Sequence, residues 1–323
     1  MKSPLASKAD AVILELPGLE ADNLLAFLAL LGLLRALETA KPSWLARASW
    51  KGSPWTARLH LAEAANESAV AKAAALGVEL LSAKFKVDGR KNVDFDRAGY
   101  RSYALSVRED PTCAALAAAL TAEVPAKRES GLYAAPLVMM FGQGHQNFLE
   151  RLVSVPRGDL PSRLRKLKKP PDMRDPGKFA EALFVRWARK DDADGFRWDP
   201  EEDQRYAMRF SDPSSEGAAP TVHGANRLAA VGFLSLPTAP TERRMTAVGA
   251  IHDEKGWGFA WPIWSEPLSR FTIEAFLAHP DLMGSEPRDL RVLGVEEVRY
   301  ARRISNGKYM NVTRAQPAGS NTT

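Results

Sequence analysis

The sequence predicts an α+β fold with a mixed first half and a more helical second half. Three observations predict it: a compact β-type run at Ala11–Leu16, a stretch from Leu24 to about Thr39 that is apolar almost all round, and further helical and β-like runs interleaved along the chain. At 323 residues the chain exceeds the ~100–200 residues typical of one domain, so one large domain or two closely packed ones are expected. Hydrophobic residues at 45% and charged residues at 26% are ordinary for a globular protein, which excludes wholesale disorder.

In chain order, Ala11–Leu16 reads as a strand ended by a Pro17-Gly18 turn. Asp22 or Asn23 then caps a helix, because a short side-chain oxygen can accept from the free N–H groups of a first turn. Leu24, Leu28, Leu31 and their neighbours surround that helix with apolar groups, Arg35 being the one charge among them, so the helix is expected at the centre of the molecule. Gly32 within it marks close approach by another element. Trp44, Trp50 and Trp55 fall in a Pro- and Gly-interrupted stretch before Arg58–Leu61, which alternates like a half-buried strand. Glu63–Leu81 is Ala-rich and helical, Phe85–Phe95 is charged and turn-like, and Asp110-Pro111 opens an Ala/Leu helix to about Thr121.

Gly131–Met140 is an apolar element running into the polar knot Gly142–Asn147, after which Phe148, Leu149 and Leu152 predict a helix up to Pro156. Residues 157–178 are basic, rich in proline and poor in large apolar side chains, so they read as a linker or exposed loop between regions 1–156 and 179–323. Beyond it, Phe179–Ala188 is helical, Tyr206–Phe210 fits a short strand, Asn226–Leu236 is a second buried helix, Gly256–Trp264 is β-like, and Ser269–Ala278 is helical. Leu290–Met310 ends the fold before a frayed polar tail at Gln316–Thr323. The two buried helices echo each other faintly, Ala21–Ala26 against Gly224–Ala229, which makes a paired architecture worth testing.

Cys113, the single cysteine, lies in an Ala/Leu-rich helical pattern, so internal disulfides and cysteine-based zinc sites are excluded and a small buried hydrophobe is expected. The longest apolar run is far short of the ~20 residues of a membrane span. With no export signal in the N-terminal stretch, the reading is a soluble, cytoplasmic protein without membrane contact.

Net charge is +5 and the isoelectric point about 9.2, a modest excess that suits a polyanionic partner. The charge is segregated. Pro156–Lys190 carries eleven Lys/Arg against four acids, and Asp191–Glu216 carries nine acids against three Arg. Within the basic block, Arg163, Arg165, Lys166, Lys168 and Lys169 place five cations in seven residues, which would bind phosphates with strong salt dependence; a solvated loop is the plain alternative. A second basic segment, Arg302 to Arg314, interleaves Arg302, Arg303, Lys308 and Arg314 with Asn306 and Asn311 around an Asn-Gly turn. That composition suits phosphate contacts from the cations and base or sugar contacts from the amides, against the alternative of an exposed hairpin. Gln143, His145, Gln146 and Asn147 offer donors and acceptors to base edges, or simply cap a helix.

Metal chemistry has weaker support. Asp192, Asp194, Gly195 and Glu201 fall at positions three, five, six and twelve of a calcium-loop spacing, but Lys190 occupies position one. Asp192, Asp194 and Asp199 could instead converge on Mg²⁺ in a metal-dependent nuclease. The histidines show no metal-ligand spacing, and no phosphate loop, nucleophile elbow or dinucleotide fingerprint is present, so no cofactor is expected.

At LEADNLLAFLALLGLLRAL (Leu19–Leu37) and at Asn226–Leu236, joined by FRWDPEEDQRYAMR (Phe196–Arg209) and RISNGKYMNVTR (Arg303–Arg314), the sequence resembles large-subunit-like components of type I CRISPR effector complexes, particularly the I-G (formerly I-U) systems. The resemblance implies a non-catalytic subunit of a crRNA-guided surveillance complex, in contact with crRNA, target DNA and other effector subunits, with a separate helicase-nuclease. It adds Asn226 and Arg227 to the candidate contacts and the target-flanking motif to what the chain would read. The length fits a shortened large subunit, one half of a split one, or an accessory component. A protein-only scaffold is the third reading beside this one and the nuclease.

Overall fold

Described in the computed structural model are residues 11–124, 132–140, 147–201, 220–241, 245–282, 290–306 and 309–318. The first strand, β1 (Val12–Glu20), does not turn at Pro17-Gly18 but runs on to Glu20, with a register shift after Leu16. Its position explains both residues. β1 is an edge of the antiparallel sheet β1–β3–β2, formed with β2 (Arg47–Lys51) and β3 (Thr56–Leu61), where a proline lacking N–H is tolerated. Gly18 is where the helix Gly177–Phe184 crosses the strand: a Cβ there would stand 2.1 Å from the Ala182 carbonyl oxygen.

Helix α1 (Leu24–Ala40) starts at Asn23, whose side chain accepts from the Ala26 N–H at 3.3 Å. It is buried along almost its whole length, as its apolar sequence requires. Helix α2 (Glu67–Ser82) begins at Asn66, which accepts from Ala69 N–H at 2.9 Å, a stronger start than the preceding Glu63–Ala65 provides. Helix α3 (Arg97–Val107) is not anticipated by the sequence reading; Asp96 caps it and Tyr103 and Val107, four apart, face the core. Helix α4 (Pro111–Leu120) carries Pro111 in its first turn and is capped by Asp110, and its Cys113 is buried as expected. Burial pushes the Cys113 thiol above its ordinary pKa, and Sγ donates to the Lys84 carbonyl.

Two short strands, β4 (Thr121–Ala122) and β5 (Tyr133–Ala134), pair before helix α5 (Phe148–Arg157). Next come α6 (Gly177–Phe184) and α7 (His223–Gly232), and then the paired strands β6 (Thr238–Pro240) and β7 (Met245–Ala247). The largest sheet follows the order β11–β10–β9–β8, from β8 (Ala250–Asp253), β9 (Gly256–Trp264), β10 (Val295–Asn306) and β11 (Tyr309–Val312), with β12 (Gln316–Pro317) also on β10. The tail is therefore paired as far as Pro317. Helix α8 (Arg270–Leu277), capped by Ser269, lies between β9 and β10 in sequence.

The class is mixed α+β, as predicted. The second half is not the more helical one among the described residues: five α-helices begin before residue 157 and three after it, and the five-stranded sheet belongs to the second half. The strand expected at Tyr206–Phe210 lies outside the described residues.

Residues 157–178 do not separate two cores. One cluster of buried side chains runs from Leu16 to Ala315. At its centre α1 and α7 cross backbone to backbone: a Cβ on Gly32 would meet Leu228 O at 1.9 Å, and a Cβ on Gly232 would meet Leu28 O at 2.0 Å. Gly32 has the role its sequence context predicted. Phe196, Trp198 and Phe233 stack on one another, with Phe148 of α5 edge-on to all three. Trp261 of β9 donates to Ala21 O at 2.9 Å, and Trp264 donates to Ala48 O at 2.7 Å, so the two principal sheets are joined through indole N–H groups as well as by apolar contact.

Candidate nucleic-acid interface

Helix α5 ends at Gly158, whose positive φ of 67° lets its N–H reach Val155 O at 3.0 Å while Asp159 N–H reaches Ser154 O at 3.0 Å. The basic block that follows is an anchored surface loop. Leu164 and Met173 are buried, and Arg165 Nε donates back to Leu160 O at 3.2 Å. Arg163 is not available to a polyanion: Nη1 donates to Asp194 Oδ1 at 2.8 Å, and Nη2 and Nε donate to Asp192 Oδ1 at 3.0 and 3.1 Å. Burial works against its charge, but Asp194 and Asp192 outweigh burial and raise its pKa.

Arg165, Lys166, Lys168 and Lys169 differ from Arg163. All four are exposed, and none forms an ion pair among the described residues. Leu167 between them is half exposed.

The other sequence-predicted contacts divide into three groups. Gln143, His145, Gln146, Lys308 and the side chain of Asn306 lie outside the described residues. Asn147 precedes α5, with its amide engaged at both ends: Nδ2 donates to Glu150 Oε2 at 2.8 Å, and Oδ1 accepts from Asn92 Nδ2 at 3.3 Å. Both contacts are to other side chains, and Asn147 makes no side-chain hydrogen bond to the first turn of α5.

The third group has partners within the protein, some at the surface and some buried. Arg302 is bidentate on Asp253 at 2.8 and 2.7 Å and drives that carboxyl down to about 2. Arg303 Nη1 donates to Pro136 O at 3.1 Å. Arg314 bridges Asp22 and Glu201, each at 2.8 Å. Asn311 is buried and accepts from Val312 N–H. Asn226 is buried too, its amide satisfied by Phe196 N–H, Thr221 Oγ1 and Val222 O. Arg227 is likewise buried, with the carbonyls of Pro156 and Met173 as its acceptors. Each of these cations and amides already has a partner within the protein, and for all but Asn311 that partner includes a segment distant in the chain.

Arg303 of β10 is tied to Pro136, in the segment that leads to Gln143–Asn147. The basic loop lies at the other end of α5, about 15 Å away along a ten-residue helix.

Of the acidic positions, Asp192 and Asp194 share one arginine, while Asp199 and Glu201 have other partners. Asp192 and Asp194 hold Arg163, and Glu201 holds Arg314. Asp199 is buried, bonded to Arg189 at 2.7 and 3.1 Å and to Asn23 Nδ2 at 3.0 Å. Among the described residues no three His, Cys, Asp or Glu side chains are grouped to hold a metal ion.

His223 was not singled out by its sequence context, yet it sits one turn before Arg227 on the same face of α7, and its Nε2 meets Met173 O at 3.0 Å. Burial first, and then the Arg227 charge, lower its pKa to about 4, so it is neutral with the Nε2 proton donated to that carbonyl. The His-x-x-x-Arg spacing was the available signal.

No protein-family model matches this chain, and no curated protein matches it. Among the described residues no helix is long and apolar enough to cross a membrane.

Proposed function

We propose that this chain is a non-catalytic, cytoplasmic subunit of a crRNA-guided CRISPR surveillance complex that holds crRNA or target DNA by its phosphate backbone. The single observation supporting nucleic-acid binding is the exposed run Arg165, Lys166, Lys168 and Lys169, which has no ion pair among the described residues and stands beside a fifth cation that anchors the loop. Exposed ammonium and guanidinium groups crowded into a short run suit phosphate contacts and carry no base-reading geometry, so this contact contributes affinity and not sequence choice. The placement in a CRISPR complex, with other effector subunits and a separate helicase-nuclease as partners, rests on the sequence resemblance. Reading of the target-flanking motif would fall to the amides Gln143, Gln146 and Asn306 and to His145.

The test is binding of single-stranded RNA, single-stranded DNA and duplex DNA over a salt series. Replacing Arg165, Lys166, Lys168 and Lys169 by Ala is expected to weaken binding and to lower the log–log salt slope by ~3, at ~0.7–0.9 per lost phosphate contact. Unfolding free energy is expected to stay within ~0.5 kcal/mol, because the four side chains touch little else. An unchanged slope overturns the loop as the contact. Cleavage by the isolated chain with Mg²⁺ or Mn²⁺, lost in Asp194→Asn, overturns the non-catalytic reading.

A further inference from the structure

We infer that Arg227 is the positioning residue of the basic loop: from inside the core it draws the two ends of the loop together and so sets where the exposed cations stand. The inference rests on the nucleic-acid reading above and adds to it a residue that no polyanion touches. Arg227 Nε donates to Pro156 O at 3.1 Å, just before the loop, and Nη1 donates to Met173 O at 3.2 Å, at its far end. His223 Nε2 occupies the second acceptor position of Met173 O at 3.0 Å. The two ends meet so closely that a Cβ on Gly158 would stand 2.7 Å from the Met173 carbonyl oxygen. The guanidinium lies over the buried Phe179 ring, 4.6 Å from its centroid, and no carboxylate pairs with it among the described residues.

Burying an arginine on carbonyls alone is costly, and a methionine of similar length would fill the space. Only a planar fork of donors can reach two carbonyls in two directions at once, and lysine's single ammonium cannot hold both in fixed geometry. The closed stretch is of the size of compact surface loops whose ends meet, ~6–16 residues. Arg163 braces its middle on Asp192 and Asp194. What remains free is the short run from Arg165 to Lys169, held out on a frame fixed at three points. Fixing that backbone before binding removes an ordering cost that a flexible basic segment would bear on contact with phosphates.

The experiment compares Arg227→Met and Arg227→Lys with the wild-type chain and with Leu28→Ala, a core variant on α1 that lowers stability without removing either carbonyl contact at the ends of the loop. A thirty-nucleotide oligo(dT) is the probe, titrated over a salt series, and native-state trypsin cleavage within residues 165–169 is followed in parallel. Both Arg227 variants are expected to bind about tenfold more weakly at every salt concentration with the salt slope unchanged, since all four phosphate-contacting cations remain. Trypsin cleavage in the loop is expected to speed up by a similar factor. Leu28→Ala, at a temperature where it is folded, is expected to match wild type in both readouts.

Wild-type binding and cleavage in Arg227→Met overturn the inference, as does full restoration by Arg227→Lys, or an equal loss in Leu28→Ala. If Arg227→Met does not fold, Arg227→Lys carries the same two readouts. Failure of the nucleic-acid reading is distinguishable: oligo(dT) binding would then be insensitive to Ala at the four loop cations, while loop cleavage would still report whether Arg227 closes the loop.

Discussion

His223 is buried beside Arg227, and the proton it would need to become charged has no favourable place there. Lys178 and Arg227 oppose a positive imidazole and Asp191 favours it, with burial the largest influence, leaving the folded pKa at about 4 against an ordinary 6.5. In the unfolded chain the ring takes up its proton near pH 6.5. Between those two values the unfolded state binds more protons, so stability falls as pH falls, by up to about 1.4 kcal/mol per pH unit. His223→Gln keeps a donor for Met173 O and removes the titration. Urea unfolding of the two proteins at pH 7 and pH 4.5 is expected to show the wild type losing more stability than the variant; parallel losses would place the acid sensitivity elsewhere. The same residue-scale view accounts for the arginines. Arg302, Arg303 and Arg314 looked like phosphate ligands because a cation in a sequence does not display its partner, and Asp253, Pro136, Asp22 and Glu201 are all distant in the chain.

At the scale of elements, the α1–α7 crossing decides most. Both helices present a glycine to the other's carbonyl, Gly32 to Leu228 and Gly232 to Leu28. The weak echo in the sequence pairs Asn23 with Asn226 and so aligns Gly32 with Ser235, whereas the crossing pairs Gly32 with Leu228 and Gly232 with Leu28, so the echo does not describe the packing. Helix propensity favours Ala over Gly by ~1 kcal/mol, and an isolated α1 would gain from Gly32→Ala. In the folded protein the added methyl has no room. Gly32→Ala is expected to destabilise by ~1–3 kcal/mol through overpacking, and Gly232→Ala by a similar amount. Leu28→Ala, on the same buried face, is expected to cost ~2–5 kcal/mol through the cavity it leaves. Chemical denaturation measures all three, and a stabilised Gly32→Ala protein would show that the helices can separate without loss.

At the scale of the whole molecule, the regions on either side of residues 157–178 share one buried cluster and are expected to unfold together. Scanning calorimetry is expected to give a single endotherm whose van't Hoff and calorimetric enthalpies agree, and a chain comprising residues 1–156 alone is expected not to fold, since it lacks α7 to cover α1 and Trp261 to stack on Phe27. Two resolved transitions would restore the two-domain reading.

Local chemistry alone determined a good deal of this protein. The caps Asn23, Asp110 and Ser269, the all-round apolar α1, the β-like Gly256–Trp264, the buried Cys113, the close approach at Gly32 and the mixed α+β class all follow from side chains acting on their own segment. Helix α3 escaped because its polar sequence has a narrow apolar face, and the turn expected at Pro17-Gly18 became strand because α6 packs on Gly18. Of the candidate site, the density of cations at 163–169 was legible, but which of them are free was not. That was decided by the tertiary structure, which sets Asp192 and Asp194 against Arg163, and Arg227 across the ends of the loop. Charge density is a property of neighbours along the chain, whereas availability depends on counter-groups brought in by folding, and only packing determines those.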